Sequence, residues 1–156
     1  VISGSTGWID KLDQIHKLCK KNKGAFLYAE NFSIGMNIFF ELNKYLSQLM
    51  RLQNYNLRIE ETHHATKKDI PSGTAIKIQS ELHKSFNNKK KIPIKSKRMG
   101  NIKGEHEVEY FSESESIYIK HTAHTRQGFS KGVILATEFI KNKTGIFSMK
   151  DVTKNQ

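Results

Sequence analysis

The stretch Glu61-Thr62-His63-His64-Ala65-Thr66-Lys67-Lys68-Asp69-Ile70-Pro71-Ser72-Gly73-Thr74-Ala75 gathers several reactive groups into one short segment. Two neighbouring imidazoles, His63 and His64, can supply a proton near neutral pH. Lys67 adds a fixed positive charge. A nearby cation disfavours imidazolium, which lowers the histidine pKa and makes the group a readier acid. Asp69-Ile70-Pro71 breaks an extended path, and Ser72-Gly73-Thr74 then begins a helix. The first backbone N–H groups of a helix, with the Ser and Thr hydroxyls, form a seat for a carboxylate. An acid, a cation and an anion seat therefore lie close together in the chain. Each also has a plainer reading. A His-His pair can be a structural hydrogen-bonding pair, and Ser72-Gly73-Thr74 alone is a helix N-cap. His106, His121 and His124 are further candidates for a metal, but no HExxH spacing and no cysteine pair accompanies them, so no metal is expected.

These groups need elements to hold them. Val1-Ile2 followed by Gly4-Ser5-Thr6-Gly7 reads as the end of a strand and a tight turn. Asp10 to Lys21 places Leu12, Ile15, Leu18 and Cys19 at helical spacing, and Gly24 stops that helix. Ala25 to Ala29 is a short, continuously apolar run, as in a buried parallel strand, so the chain opens with a βαβ unit. Ile34 to Leu52 is the longest predicted helix, with Ile34, Ile38, Leu42, Tyr45, Leu46 and Leu49 on one stripe. Tyr55 to Thr62 alternates with period two, a strand with one buried face. A polar stretch from His63 to Thr74 leads into a helix over about Ala75 to Phe86. Glu105–Phe111 and Ser116–Lys120 alternate again and pair naturally as antiparallel strands. Phe129 to Lys141 is helical, and Gly145 to Met149 follows it. The fold class is α/β: a partial Rossmann-type nucleotide lobe plus an α+β domain with an open mixed β-sheet.

Composition narrows the function classes. With 37% hydrophobic and 26% charged residues the chain can bury a core. No apolar run approaches the roughly 18 residues of a membrane span, and the opening residues have no signal-peptide pattern. Cys19 is the lone cysteine, so neither a disulfide framework nor a cysteine-based zinc site can form within one chain. A cytoplasmic location with no membrane partner is expected. The net charge is +11, yet of 26 basic residues only Arg51, Arg58, Arg98 and Arg126 are arginine. Nucleic-acid binders favour Arg for bidentate contacts, and a bias toward Lys, Ile and Asn produces the same charge with no such partner. No nucleic-acid partner is expected, and salt-sensitive binding to random DNA would be its sign. The positive field would still attract an anionic substrate.

The block from Glu61 to Ala75 closely resembles the signature of the 4-hydroxy-tetrahydrodipicolinate reductase (dihydrodipicolinate reductase) family. Other segments fall in the family's order: Gly4 to Gly7, Asn31 to Asn37, Gly104-Glu105-His106, His121 to Arg126, and Gly145 to Met149. The resemblance runs nearly end to end. It implies NAD(P)H-dependent reduction of 4-hydroxy-2,3,4,5-tetrahydrodipicolinate in the diaminopimelate route of lysine biosynthesis. Hydride from NADPH or NADH would reach C4 of a conjugated cyclic imine, and His63, in the position of the general acid, would protonate C3. By the same resemblance Lys67 is the catalytic lysine, His64 contacts substrate, and Ser72, Gly73 and Thr74 bind carboxylate. Gly4, Ser5 and Thr6, with Ala29, Glu30, Asn31 and Phe32, match loops at the nicotinamide end of the cofactor, and Arg126 is a further cofactor-side candidate.

The resemblance also implies three segments: residues 1–34 as part of a dinucleotide-binding lobe, 35–126 as the substrate-binding and tetramerisation domain, and 127–156 as the return to the first lobe. A homotetramer would form through the open sheet, with Glu105–Phe111 and Ser116–Lys120 as edges. Two features depart from the family. Glu30 stands where a small residue is usual. The glycine-rich pyrophosphate turn, and the residue that selects between NADH and NADPH, are absent from the chain. On the order of a hundred residues, roughly the first half of a dinucleotide-binding domain, is therefore expected ahead of Val1. The competing reading is an inactive, truncated fragment that serves only as an oligomerisation module.

Overall fold

In the computed structural model, which describes residues 1–5, 7–87 and 91–154, the elements run in chain order from β1 (Ile2–Ser3) through α1 (Leu12–Lys21), β2 (Ala25–Tyr28), α2 (Ile34–Met50) and β3 (Asn56–His63) to α3 (Gly73–Ser85). There follow β4 (Ile94–Arg98), β5 (Glu105–Phe111), β6 (Ser116–Thr122), α4 (Gln127–Ile140), β7 (Gly145–Phe147) and α5 (Met149–Lys154). The chain divides into two compact units, Val1–Asn37 with Gln127–Gln156, and Ile38–Arg126.

The first unit holds a three-stranded parallel sheet of order β1-β2-β7. Phe26 and Leu27 in β2 are both buried although they point to opposite faces, because a parallel strand is covered on both sides. Leu27, Ala29, Phe32, Ala136, Met149 and Val152 form the core of this unit. Gly132 lets α4 settle against the loop after β2. A Cβ at that position would stand 1.7 Å from the Phe32 carbonyl oxygen, so no other residue permits this approach.

The second unit holds a mixed, open sheet of order β4-β3-β5-β6, with β3 parallel to β4 and antiparallel to β5. Its inner face carries Leu57, Ile59 and Glu61 opposite Tyr110, Val108 and His106. Helices α2 and α3 cover this face. Tyr110 donates to Asn43 Oδ1 at 2.8 Å, Ser47 donates to Ser85 Oγ at 2.8 Å, and Ala75, Ile78 and Leu82 of α3 are buried. The opposite face carries charged neighbours instead: Glu60 pairs with Lys97 and Lys95, and Glu105 pairs with Lys120.

Three expectations need adjustment. The apolar stripe on α2 is not its buried side: Ile38, Leu42, Tyr45 and Leu49 are about half exposed or more, whereas Phe39, Phe40, Asn43, Ser47 and Met50 are buried. The helix is apolar around most of its circumference, and two polar residues with specific partners on the neighbouring strand and helix decide which side turns inward. Strand β4 was not foreseen, because Pro93 and the lysines of Ile94-Lys95-Ser96-Lys97-Arg98 mask its alternation; both are features of an edge strand. Of the two segments expected as free edges only β6 is one, since β5 lies between β3 and β6. Among the described residues, no helix is long and apolar enough to cross a membrane.

Candidate active site

The period-two geometry of a strand puts Glu61 and His63 on one face at the carboxyl end of β3. The register then sets Glu61 opposite His106 on β5, and His63 opposite Arg98 on β4. One further strand along, His121 stands opposite His106. Five ionisable side chains from four adjacent strands thus converge at one end of the sheet.

Their contacts are specific. Glu61 is fully buried. One of its carboxylate oxygens takes a short hydrogen bond from the His63 ring at Nδ1. The other accepts from Arg98 Nη2 at 2.8 Å and from the Ser72 backbone N–H at 3.3 Å. Arg98 is held in turn by the carbonyl oxygens of Asp69 and Lys97, each at 2.6 Å. The His106 ring stacks edge-on against His63, centroids 5.0 Å apart, and its Nε2 shares a 3.2 Å hydrogen bond with Ser72 Oγ.

Burial sets the titration of this cluster. The Glu61 carboxyl is pushed up by burial, but its hydrogen bonds with Arg98, Ser96 and His63 outweigh that and hold it below the usual carboxylate range. His63 is lowered first by burial; Glu61 opposes this, and Lys67 and Arg98 lower it further, so the net direction is down. His106, 5% exposed, is pushed down to about 3 by burial and by the neighbouring His63.

The anion seat has its own arrangement. Ser72 caps α3: its buried hydroxyl accepts from the Ala75 N–H at 3.2 Å. Gly73 and Thr74 form the first turn, Gly73 exposed and Thr74 half-buried. Lys67 is half-buried, and its ammonium pairs with the Asp69 carboxylate at 2.7 Å. That carboxyl lies below its usual range, through Lys67 first and through backbone N–H groups that include Gly73. His64 is half-buried, with Nδ1 2.8 Å from Thr66 Oγ1.

The candidates for cofactor contact fall in the other unit, where two loops leave the carboxyl ends of the adjacent parallel strands β1 and β2, the usual place for ligands in open α/β sheets. Gly4 and Ser5 are exposed, and Ser5 Oγ accepts from Trp8 Nε1 at 2.9 Å. Thr6 lies outside the described residues. A Cβ at Gly4 would meet the Phe32 ring at 2.9 Å, so glycine is what allows the two loops to approach. Glu30 is exposed, and its charge is the second cause, after burial, that raises Tyr28. Ala29 and Phe32 are buried in the core. Asn31 shapes the loop, accepting from the Ser33 N–H and, through its carbonyl, from Asn37 Nδ2. Among the described residues these loops carry no glycine-rich pyrophosphate turn. Arg126 is exposed, at the end of the second unit.

Sequence reasoning missed Glu61 and Arg98 as partners of His63, and gave His106 no role beyond a candidate metal ligand and a place in a segment of the family's order. The signal was available for Glu61, two residues before His63 on an alternating strand. For Arg98 there was none, because pairing of β4 with β3 is a long-range event. Glu61, His63 and His106 each offer a ligand atom within 4.8 Å of the others. Glu61 is already engaged by His63 and Arg98, and His106 by Ser72, so the geometry is that of a hydrogen-bonded cluster with a guanidinium where a cation would gather charge. Gly104 leaves room beside this cluster, since a Cβ there would stand 3.2 Å from His63 Nε2.

The model of the family described as "Dihydrodipicolinate reductase, C-terminus" matches residues 35–153. The 4-hydroxy-tetrahydrodipicolinate reductase of Christiangramia forsetii is 47% identical over 97% of this chain and 68% of its own length. That of Wigglesworthia glossinidia brevipalpis is 40% identical over 100% and 59%, and that of Methanosarcina acetivorans 36% identical over 97% and 63%. The chain thus spans about three fifths to two thirds of these relatives. A solved structure of dipicolinate-bound dihydrodipicolinate reductase from Paenisporosarcina sp. TG-14 shares the fold, with a TM-score of 0.74 at 24% identity over 94% of this chain and 62% of that one. With a family model spanning most of its residues and a relative nearly half identical to it, the chain belongs to the dihydrodipicolinate reductase family.

Proposed function

We propose that the chain is the substrate-binding and catalytic portion of an NAD(P)H-dependent 4-hydroxy-tetrahydrodipicolinate reductase. In this reading residues 35–126 hold substrate and form the homotetramer through the open sheet, and residues 1–34 and 127–156 belong to the cofactor lobe. The observation that carries the proposal is the meeting of a buried imidazole, an ammonium group and a helix start around one strand end: His63, Lys67 and the first turn of α3.

The chemistry follows from these groups. NADPH or NADH, held in part by the loops containing Gly4, Ser5, Thr6, Ala29, Glu30, Asn31 and Phe32, with Arg126 as a further candidate, would supply the hydride. His63 supplies the proton. Its lowered affinity for that proton makes the imidazolium a stronger acid, and the rate falls as rising pH empties it. Lys67 and the N–H groups of Gly73 and Thr74, below which Ser72 caps the helix, hold the substrate carboxylates, with His64 beside them. Charge-assisted hydrogen bonds to a dianion belong to the stronger class, so these contacts both bind and orient. The exchange of Asp69 for a substrate carboxylate on Lys67 would set the ring in place.

The test is NAD(P)H oxidation with freshly generated substrate, on the chain alone and joined to the N-terminal portion of a relative such as that of Christiangramia forsetii. In the joined protein His63→Gln should fold normally and lose at least about a hundredfold in kcat, the usual worth of a general acid. An unchanged kcat would remove His63 from the mechanism. The second reading is an oligomerisation module without activity. Full turnover by the chain alone would exclude it.

A further inference from the structure

We propose that Glu61 and Arg98 are positioning residues for His63: the carboxylate keeps the imidazole proton on Nδ1 and frees Nε2 to face the reacting atoms, and the guanidinium keeps that carboxylate ionised. The inference rests on the reading of His63 as the proton donor, and on three observations.

The first is the choice of residue at a buried position. Among the described residues Glu61 is the most deeply buried charge of the second unit, with no exposed surface, on a strand face that also carries Leu57, Ile59 and His63. An ionised carboxylate in such a place costs several kcal/mol unless it is paired and hydrogen-bonded. An apolar residue would fill the position at no such cost, so the charge has a use other than packing. The second is that its oxygens are divided between distinct duties. One faces His63 Nδ1, and the other takes Arg98 and the Ser72 N–H. A carboxylate only accepts hydrogen bonds, so the ring nitrogen facing it must carry the proton, and neutral His63 is then the tautomer with a bare Nε2. The third is the space on the far side of the ring. Gly104 approaches Nε2 closely enough that a methyl group would lie 3.2 Å away, and the absence of a side chain leaves that nitrogen clear.

The groups facing His63 come from every element packed on it: Glu61 on its own strand, Arg98 on β4, His106 on β5 and Lys67 in the loop that follows. Glu61 alone favours the imidazolium, while Lys67 and Arg98 oppose it. Glu61 therefore acts in two ways, fixing the tautomer and keeping His63 within reach of protonation. The Ser72 N–H on the same carboxylate ties this arrangement to the start of α3, so the acid and the anion seat are held by one group.

The experiment is imidazole nitrogen NMR on the 156-residue chain, followed from neutral to acidic pH. In the unaltered chain, neutral His63 should show a protonated Nδ1 and an unprotonated Nε2; a proton on Nε2 overturns the proposal without any variant. In Glu61→Gln the His63 titration midpoint should fall by roughly one pH unit, the lower end of a close charge partner's effect. An unmoved midpoint in folded Glu61→Gln also overturns it. Because that variant leaves Arg98 buried without its partner, the double variant Glu61→Gln/Arg98→Gln provides the neutral control and should lose the fixed Nδ1 proton of neutral His63. Retention of that proton in the double variant counts against the carboxylate as its acceptor. Failure of the functional reading looks different: the NMR results hold, but in the joined reductase the pH profile of kcat does not move with the His63 midpoint.

Discussion

Lys67, proposed above to hold a substrate carboxylate, is already engaged by another. Its ammonium lies 2.7 Å from the Asp69 carboxylate, which also draws on the N–H groups at the start of α3. In the proposed reading Asp69 therefore occupies the place of a substrate carboxylate, on the same cation and at the same helix start. It is more than half exposed, with a side-chain accessibility of 57%, so the pair is worth at most about 1 kcal/mol. Asp69→Asn should lower the KM for the dicarboxylate by about two- to fivefold and leave kcat nearly unchanged. Steady-state kinetics on the joined reductase decide this. A raised KM would mean instead that Asp69 orients Lys67, and internal competition would be ruled out.

The loop after β2 and helix α4 depend on each other as elements. Gly132 faces the backbone of Phe32, and no side-chain rearrangement can relieve a Cβ placed 1.7 Å from a carbonyl oxygen. Either α4 or the loop must shift, and Phe32 and Ala136 sit in the core between them. Gly132→Ala should cost about 3 kcal/mol or more, the upper range for overpacking, even though alanine is the better helix former. Urea unfolding of the chain measures it, and a stabilised variant would show that the helix does not lie this close. Since Ala29 to Phe32 belong to the candidate cofactor loop, the same substitution tests whether α4 sets that loop's shape.

The whole molecule carries its buried histidine as a liability in acid. His106 titrates near its ordinary value when unfolded but is pushed down to about 3 in the fold. Between those values the unfolded chain binds a proton that the folded chain refuses, so stability falls as pH drops from about 6.5 toward 3. At roughly 1.4 kcal/mol per unit, this one group accounts for about 4 kcal/mol of loss. The lowered carboxyl groups of Glu60, Glu61 and Glu109 act in the same direction over the lower part of that window. Urea midpoints at pH 7, 5.5 and 4 should decline steadily in the chain and less steeply in His106→Gln; equal slopes would assign the acid sensitivity elsewhere.

Much of this protein was legible before folding. The period-two strand ending at His63, the Ser72 cap followed by Gly73 and Thr74, and the apolar run of β2 are local patterns, and local geometry follows from neighbouring residues alone. So does the placement of Glu61 on the same face as His63. What a one-dimensional reading could not supply is which strands lie side by side. The parallel pairing of β3 with β4 brings Arg98 to Glu61, and the antiparallel pairing with β5 brings His106 to His63. The buried side of α2 belongs to the same class: an almost uniformly apolar helix is turned by hydrogen bonds of Asn43 and Ser47 to Tyr110 and Ser85, many residues away. Spacing determined which groups this chain carries and where most of its elements lie; tertiary pairing decided that Ile94–Arg98 is a strand and which charges meet, because burial and register are properties of neighbours that sequence separation conceals.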